Sequence, residues 1–400
     1  MASPKTIAIV KSTAPVLEVH GEEITKVFYR RLFENNPELK DMFNMTNQKK
    51  GTQPKALANA IFKYACHIDK LELLGDAVAS ITEKHSSLSI TPEMYPIVGK
   101  NLLDAIKEVL GDAATPDVID AWAEAYDDLA VIFMSSEEKI YEKKESNAGG
   151  FRGKKNFVVF KKEEESSVIT SFYLKPKDGS SVPEFIPGQY IVLTIDVPGT
   201  THKHTRNYSL SDSNNKDYLR ISVKKETYNP EGIVSNYLHS NIIEGDVLSI
   251  GIPSGDFVLN NSEKPVVLLA GGVGITPLMS MYKSILKDSK REVVFIQCAL
   301  NSETHAFKKE IQENLTSKSK SVIVYNEPLV TDIQGDDYDF SGYLTANILK
   351  DIGVDSESVF YFCGPTPFMA NAIKVLNELD VEESNINYEF FGPSEELMCV

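Results

Sequence analysis

The chain is poor in cysteine, in tryptophan and in basic charge, and it has no long apolar run. Its four cysteines, Cys66, Cys298, Cys363 and Cys399, stand far apart and without metal-ligand spacing. That pattern excludes a disulfide framework and reads as reduced thiols. Acidic side chains outnumber basic ones, 57 to 41, for a formal net charge of −16. Phosphate backbones are bound by clustered Lys and Arg, so nucleic acid is not an expected partner. No segment approaches the ~20 consecutive apolar residues of a membrane span, so no integral membrane association is expected. The stretch Met1 to Val10 has neither the apolar core of a secretory signal nor an arginine-rich transit pattern. A cytoplasmic location is the expectation.

What is present falls into blocks of different texture. Residues 1–141 read as helical, with apolar positions at helical spacing in Ile24–Phe28–Leu32 and Leu102–Ile106–Leu110. Thr91-Pro92-Glu93 and Thr115-Pro116-Asp117 read as helix starts, with Thr as cap and Pro in the first turn. Residues 142–152 turn to Lys, Glu, Ser, Asn and Gly, the composition of a linker. Over 153–262, short β-rich runs separated by turn residues predict a small antiparallel barrel. Over 263–400, strand-like runs alternate with helical patterns, which predicts a doubly wound α/β domain with a parallel sheet. The fold class is thus multidomain: all-α, then antiparallel β-barrel, then α/β.

The sharpest local signal lies at the start of the last block. The apolar run Val266–Leu269 is followed by Ala270-Gly271-Gly272-Val273-Gly274-Ile275-Thr276-Pro277 and then by a helical pattern. Strand, glycine-rich turn and helix start make a phosphate cradle, because glycines admit close backbone approach and helix N–H groups face the anion. Such a turn alone is a weak signal. Arg206-Asn207-Tyr208-Ser209 upstream, and Cys363-Gly364-Pro365 and Phe390-Phe391-Gly392-Pro393 downstream, bracket it. Together these motifs resemble the ferredoxin–NADP reductase class. The resemblance implies FAD, with Arg206 pairing the flavin pyrophosphate and Asn207 in the same motif. Tyr208 and Ser209 would lie at the flavin ring, Tyr190 at its adenine-nucleotide part, and Ser235 in a helix start facing phosphate. Gly272, Val273, Gly274, Ile275, Thr276 and Pro277 would take the nicotinamide nucleotide. Phe391 would cover the flavin ring, and Phe390, Gly392 and Pro393 belong to the same cofactor-binding motif. Both NADH and NADPH stay open, because Gln297 to Ser302 offers neither a clear carboxylate nor an arginine for the ribose.

The helical third holds three histidines, His20, His67 and His85. His20 precedes Gly21 in what reads as a connection, and His67 sits near a helix end. His85 is in line with Val78, Ile81 and Leu88 on an apolar helical face. A lone histidine there is most often a core residue, but a neutral imidazole facing an apolar cavity is also how haem iron is held. The order of Tyr29, Phe43, Gln53, Leu57, His85 and Tyr95, with Asn35-Asn36-Pro37-Glu38-Leu39, Phe43-Asn44-Met45, Tyr95-Pro96-Ile97-Val98-Gly99 and Ala148-Gly149-Gly150, resembles the flavohaemoglobins over essentially the whole chain. That resemblance makes His85 the ligand of a b-type haem iron. Phe43 would wedge the haem, Leu57 would narrow its pocket, and Tyr29 and Gln53 would form the side where gas binds. Tyr95 and Glu137 would couple to His85, and Lys84 would face the reductase side. Glu138 is adjacent to Glu137, and the spacing from Trp122 favours Glu137.

The function implied is nitric oxide dioxygenation. NADH or NADPH would reduce FAD, FAD would reduce haem, and nitric oxide with dioxygen would leave as nitrate. Dioxygen, nitric oxide and the nicotinamide nucleotide are the expected partners of a monomer with no obligate protein partner. Two alternatives stay open: an oxygen-binding or sensing globin with a maintenance reductase, and a general flavin diaphorase.

Overall fold

Capping decides where the helical region begins. Ser3 accepts from the Thr6 N–H at 3.2 Å and Pro4 opens α1, Pro4–Ser12. The computed structural model describes residues 2–392, apart from 46, 47, 49, 50, 229, 289 and 290. Helices α2 (Ala14–Asn35), α3 (Thr52–His67), α4 (Gly75–Leu88), α5 (Met94–Leu110) and α6 (Pro116–Ser146) follow. Thr115 caps α6 as expected, accepting from the Val118 N–H at 3.4 Å. Ile24, Phe28, Leu32, Leu102, Ile106 and Trp122 meet in one buried cluster, which joins α2, α5 and α6. Burial of such side chains stabilises by about 1.5–3 kcal/mol each.

Three local expectations are corrected. His20 and Gly21 lie inside α2 rather than in a connection. Thr91 does not cap a helix. It closes a turn, Met94 N–H to Thr91 C=O at 3.0 Å, and α5 starts after it. The segment expected as a linker is helical in its first half, since α6 runs to Ser146. Lys and Glu are good helix formers, so this composition continues the helix.

Chain contacts divide the protein into two compact units. The first is Met1–Asn147 with Phe151–Lys154 and Thr194–Arg206; the second takes 148–150, 155–193 and the described residues from Asn207 on. Strands β1 (Lys154–Glu164), β2 (Ile169–Pro176), β3 (Tyr190–Ile195), β4 (His204–Ser209), β5 (Leu219–Lys224) and β6 (Val247–Gly251) form one sheet. Its order is β4-β3-β6-β1-β2-β5. β1 with β2 and β2 with β5 pair antiparallel. A bridge Leu210↔Ile221 links the end of β4 to β5, so the outer strands meet as a barrel requires. Helix α7, Ile233–Asn241, lies between β5 and β6 in sequence.

The parallel sheet is built from β7 (Val266–Gly271), β8 (Val293–Ala299), β9 (Ser319–Tyr325), β10 (Phe340–Ser341), β11 (Val359–Cys363) and β12 (Ile386–Glu389). The order is β10-β9-β8-β7-β11-β12. Helices α8 (Ile275–Asp288), α9 (Lys308–Glu313), α10 (Ala346–Asp351) and α11 (Thr366–Asn377) alternate with these strands. β7, β8 and β11 are nearly continuous apolar runs, as strands covered on both faces must be. From β7 the chain winds outward to β8, β9 and β10, then returns to place β11 on the other side of β7. The β7–β11 crevice is therefore the topological switch point, where such sheets bind ligands.

Candidate functional site

In the helical region the site grows from His85. It stands near the end of α4, with Val78 two turns and Ile81 one turn before it and Leu88 one turn on. All four are only half-buried by protein. The Nδ1 of His85 lies 2.8 Å from Glu137 Oε1 on α6 and 3.2 Å from the Tyr95 hydroxyl on α5. Tyr95 donates to the same Glu137 Oε1 at 2.5 Å. Glu137 is 3% exposed. Burial, and next the Glu137 carboxylate, push the Tyr95 hydroxyl far above the ordinary tyrosine range, so it keeps its proton and donates. With a carboxylate as acceptor, Nδ1 is assigned the imidazole proton, and the Nε2 lone pair is left to bind a metal. Glu138 points elsewhere. It is exposed and accepts two hydrogen bonds from Arg152, at 2.7 and 2.9 Å. Of the two adjacent glutamates, Glu137 is the one that lies against His85.

A second group of side chains gathers around Tyr29. Its ring stacks with Phe33 at 5.9 Å and meets Phe43 edge-on at 5.8 Å between centroids. Gln53, in the first turn of α3, approaches the Tyr29 hydroxyl, and so does Gln48, which the sequence reading missed. Burial pushes that hydroxyl above its usual range, and the two amides pull it only part of the way back. It is therefore a proton donor at any physiological pH. The Gln48 Nε2 atom is buried without a full hydrogen bond among the described residues. Leu57 and Ile61, half-buried, line the same cluster from α3. No sequence signal marks Gln48, one of several polar residues between Asn44 and Gly51.

This donor set fits an iron porphyrin. Among the described residues no three His, Cys, Asp or Glu side chains converge as a metal cage, so one oriented imidazole is what the helices offer. A single axial nitrogen is what a haem needs from the protein on that side. Lys84, beside His85, is exposed.

The reductase residues fall on strand ends and helix starts. β4 carries Arg206, Asn207, Tyr208 and Ser209. Alternation puts Arg206 and Tyr208 on one side, both half-buried, while Ser209 is buried. Arg206 Nη1 donates to its neighbour's carbonyl at Thr205 O, 2.8 Å away. Tyr190 opens β3 and exchanges backbone hydrogen bonds with Ser254 at 2.8 and 2.9 Å. Ser235 lies in the first turn of α7, where its hydroxyl is already held by Gly232 O and Glu226 N–H, both at 3.3 Å. That leaves the helix N–H groups, more than the Ser235 hydroxyl, to face an anion.

At the switch point β7 ends at Gly271, a single turn covers Gly272–Gly274, and α8 starts at Ile275. Gly272 is exposed with φ +51°, and Val273 is half-buried. Gly274 through Pro277 are buried. The Thr276 hydroxyl donates to Val273 O at 3.0 Å. A Cβ on Gly274 would stand 2.0 Å from Cys363 O and 2.6 Å from Gly364 N. Gly274 is thus required by the chain's own backbone at the end of β11. The glycine-rich turn and Cys363-Gly364-Pro365 are two walls of one crevice. β12 pairs Glu389 with Cys363, and Phe390 and Phe391 leave the sheet beside them. Phe391 is 48% exposed; Gly392 follows, and Pro393 lies outside the described residues. Glu389 also escaped the sequence reading. Burial, with Asp256 adding to it, pushes its carboxyl up to about 8. Its Oε2 has no hydrogen-bond partner among the described residues. It carries a proton at neutral pH.

Comparison with known proteins agrees with this division. Residues 26–132 match the globin family model, 156–259 the oxidoreductase FAD-binding domain and 268–374 the oxidoreductase NAD-binding domain. The chain is 50% identical to a flavohemoprotein of Bacillus cereus, over 99% of this chain and 100% of that one. It is 48% identical to a flavohemoprotein of Halalkalibacterium halodurans, over 98% and 97%. Among solved structures it resembles a flavohemoglobin of Malassezia yamatoensis with bound FAD and heme, at a TM-score of 0.84 and 27% identity, over 98% of this chain and 99% of that one. The FAD/NAD-binding domain of a nitric oxide dioxygenase from Vibrio cholerae matches 60% of this chain and 99% of its own length, at a TM-score of 0.55 and 34% identity.

Proposed function

The chain belongs to the flavohemoprotein family, and on that premise we propose that it is a nitric oxide dioxygenase. At the coarser level it is a globin–reductase enzyme, an oxidoreductase that works with haem, FAD and a nicotinamide nucleotide. Those bound groups supply the electron transfer chemistry. Electron balance then sets the reaction. Nitric oxide plus dioxygen plus one electron is nitrate. A hydride carries two electrons, so one nicotinamide supports two turnovers.

The chain's own residues have separable tasks. His85 Nε2 would hold the iron, and Glu137 would keep the proton on Nδ1 and orient the ring. A buried carboxylate on a ligand imidazole raises its donor strength, and loss of such a partner costs roughly 10- to 100-fold. Tyr29 offers an O–H to a polar diatomic ligand in an apolar surrounding, with Gln53 steadying the phenol. Phe43 and Leu57 limit what fits. Arg206 and the start of α7 hold the flavin's pyrophosphate, Tyr208 lies on its ring, and Ser209 and Tyr190 fix its position. Gly272–Pro277 holds the nicotinamide nucleotide, and Phe391 covers the ring that faces it.

The observation that carries this reading over an oxygen store is the Glu137–His85 pair. A strongly donating imidazole serves chemistry at the iron; reversible storage has no use for it, nor for a flavin site on each chain. The pair is tested by Glu137→Gln, which keeps shape and removes charge. Nitric oxide consumption by the holoenzyme should fall roughly 10- to 100-fold with haem and flavin content retained. Full activity in that variant would remove the pair from the mechanism.

A further inference from the structure

Four charged side chains close into a square between the antiparallel sheet and the parallel one. Asp212 follows β4, three residues past Ser209. Arg220 lies on β5, Lys283 on α8 and Glu310 on α9. All four fall in the second compact unit. Lys283 Nζ pairs with Asp212 Oδ1, and with Glu310 Oε1 at 2.6 Å. Arg220 Nη1 donates to Glu310 Oε2 at 2.9 Å, and its Nε lies 3.9 Å from Asp212 Oδ2. Each cation thus meets both carboxylates, and the charges balance. The Arg220 and Asp212 side chains are only 2% and 4% exposed, so solvent ions screen this side of the square little.

The surroundings fix each corner. Register places Tyr173 of β2 opposite Arg220, and alternation turns both away from the face that carries Phe172 and Ile221. Asp212 Oδ2 accepts from the Tyr218 hydroxyl at 2.9 Å, and Oδ1 from the Ser213 N–H at 2.7 Å. Burial alone would raise the Asp212 carboxyl, but Arg220 and Lys283 hold it below its ordinary value. The Arg220 guanidinium lies 4.9 Å over the ring of Phe307, which precedes α9 with φ +61°. A non-glycine residue keeps that conformation only where its surroundings impose it. Apolar side chains join the same two sheets. Ile169 and Phe257 share a buried cluster with Met281 and Tyr282 of α8. Apolar burial is non-directional. A buried ion pair adds little net stability, because desolvation offsets the attraction, but it can fix register.

We propose that this square is a positioning device for hydride transfer. It sets α8, whose first turn would face the nicotinamide nucleotide, against the chain that leaves the flavin motif at Ser209. Asp212 and Lys283 are its central pair, and they act through those two elements. The inference rests on the nicotinamide and flavin readings above. In the step it serves, a C–H bond of the reduced nicotinamide breaks, its hydride passes to the flavin ring, and a solvent proton completes the reduced flavin. The nicotinamide is oxidised and the flavin reduced. A misplacement of about 1 Å can slow such a step roughly 100-fold.

The test is stopped-flow flavin reduction, without oxygen, in FAD- and haem-loaded enzyme with NADH or NADPH. In Lys283→Met the saturating rate should fall roughly 10- to 100-fold. The half-saturating nucleotide concentration should change less than about threefold, because the loss falls on the transition state. A primary deuterium isotope effect should persist on the slowed step. The long-wavelength absorption of a nicotinamide stacked on flavin should weaken in Lys283→Met and return in Lys283→Arg, which keeps the charge. Adding Asp212→Asn to Lys283→Met should slow the step little further, because the pair acts as one unit. Glu310→Gln, at the most exposed corner, should give a smaller fall, and it replaces Lys283→Met if that variant does not retain FAD. Parent-like saturating rates in the FAD-retaining variant overturn the proposal alone, even where its melting temperature drops. Failure of both nucleotides to reduce the parent's flavin overturns the nicotinamide reading and this proposal with it.

Discussion

The helical region and the parallel-sheet region place their chemistry differently. In the helices the proposed working atoms are side chains from five separate elements: Tyr29 on α2, Gln53 on α3, His85 on α4, and Tyr95 and Glu137 on α5 and α6. Each is one residue in an otherwise ordinary amphipathic helix, and only packing makes them a set. In the sheet the proposed working atoms are backbone groups at the ends of neighbouring strands, in contiguous runs such as Gly272–Pro277 and Cys363–Pro365. A site made of side chains can lose one function and keep its fold. A site made of backbone is damaged by any added atom.

That contrast can be broken from either side. The largest expected effect is His85→Ala. It should abolish stable haem binding and nitric oxide consumption, while nucleotide-driven reduction of ferricyanide continues, read by the haem absorption band and a ferricyanide assay. A normal haem spectrum would show that His85 is not the ligand. Gly274→Ala should do the opposite. The added Cβ meets Cys363 O at 2.0 Å, backbone that cannot swing aside. Overpacking of this kind costs typically about 1–3 kcal/mol, and the crevice must deform. Flavin reduction by nucleotide should fall at least about tenfold with the haem spectrum unchanged. Parent-like reduction kinetics would remove the Gly274–Cys363 approach from the account.

The smallest effect sharpens the contrast within the helices. Tyr29→Phe deletes one oxygen, and its ring still stacks on Phe33. A lost hydrogen bond to a charged acceptor, about 1.5–3 kcal/mol, makes dioxygen dissociation roughly 10- to 100-fold faster. Carbon monoxide, with less charge on its outer atom, should respond far less. Stopped-flow dissociation unchanged from the parent would assign the ligand bond to Gln48 or Gln53.

The same contrast explains what was legible in the sequence. Val266–Leu269 was readable as the body of β7, because buried strands are nearly unbroken apolar runs. β4 was recognised by its motif and not as a strand, because His-Thr-Arg-Asn-Tyr-Ser has no apolar alternation. β10 and β12 are short edge strands, where few side chains are buried and the pattern is faint. In the site, His85, Tyr95 and Glu137 came from family likeness, and the 2.8 Å contact came only from packing. Gln48 and Glu389 were not legible at all. Each is a lone polar residue whose meaning depends on a neighbour distant in sequence.

The central claim is that one chain couples a nicotinamide nucleotide to the oxidation of nitric oxide at His85's iron. The direct measurement is product stoichiometry with purified, haem- and FAD-loaded protein, limiting nucleotide, and excess dioxygen and nitric oxide. The account predicts two nitrates formed for each nicotinamide oxidised, by the electron balance above. Nucleotide oxidised with no nitrate above that of a His85→Ala control would contradict it.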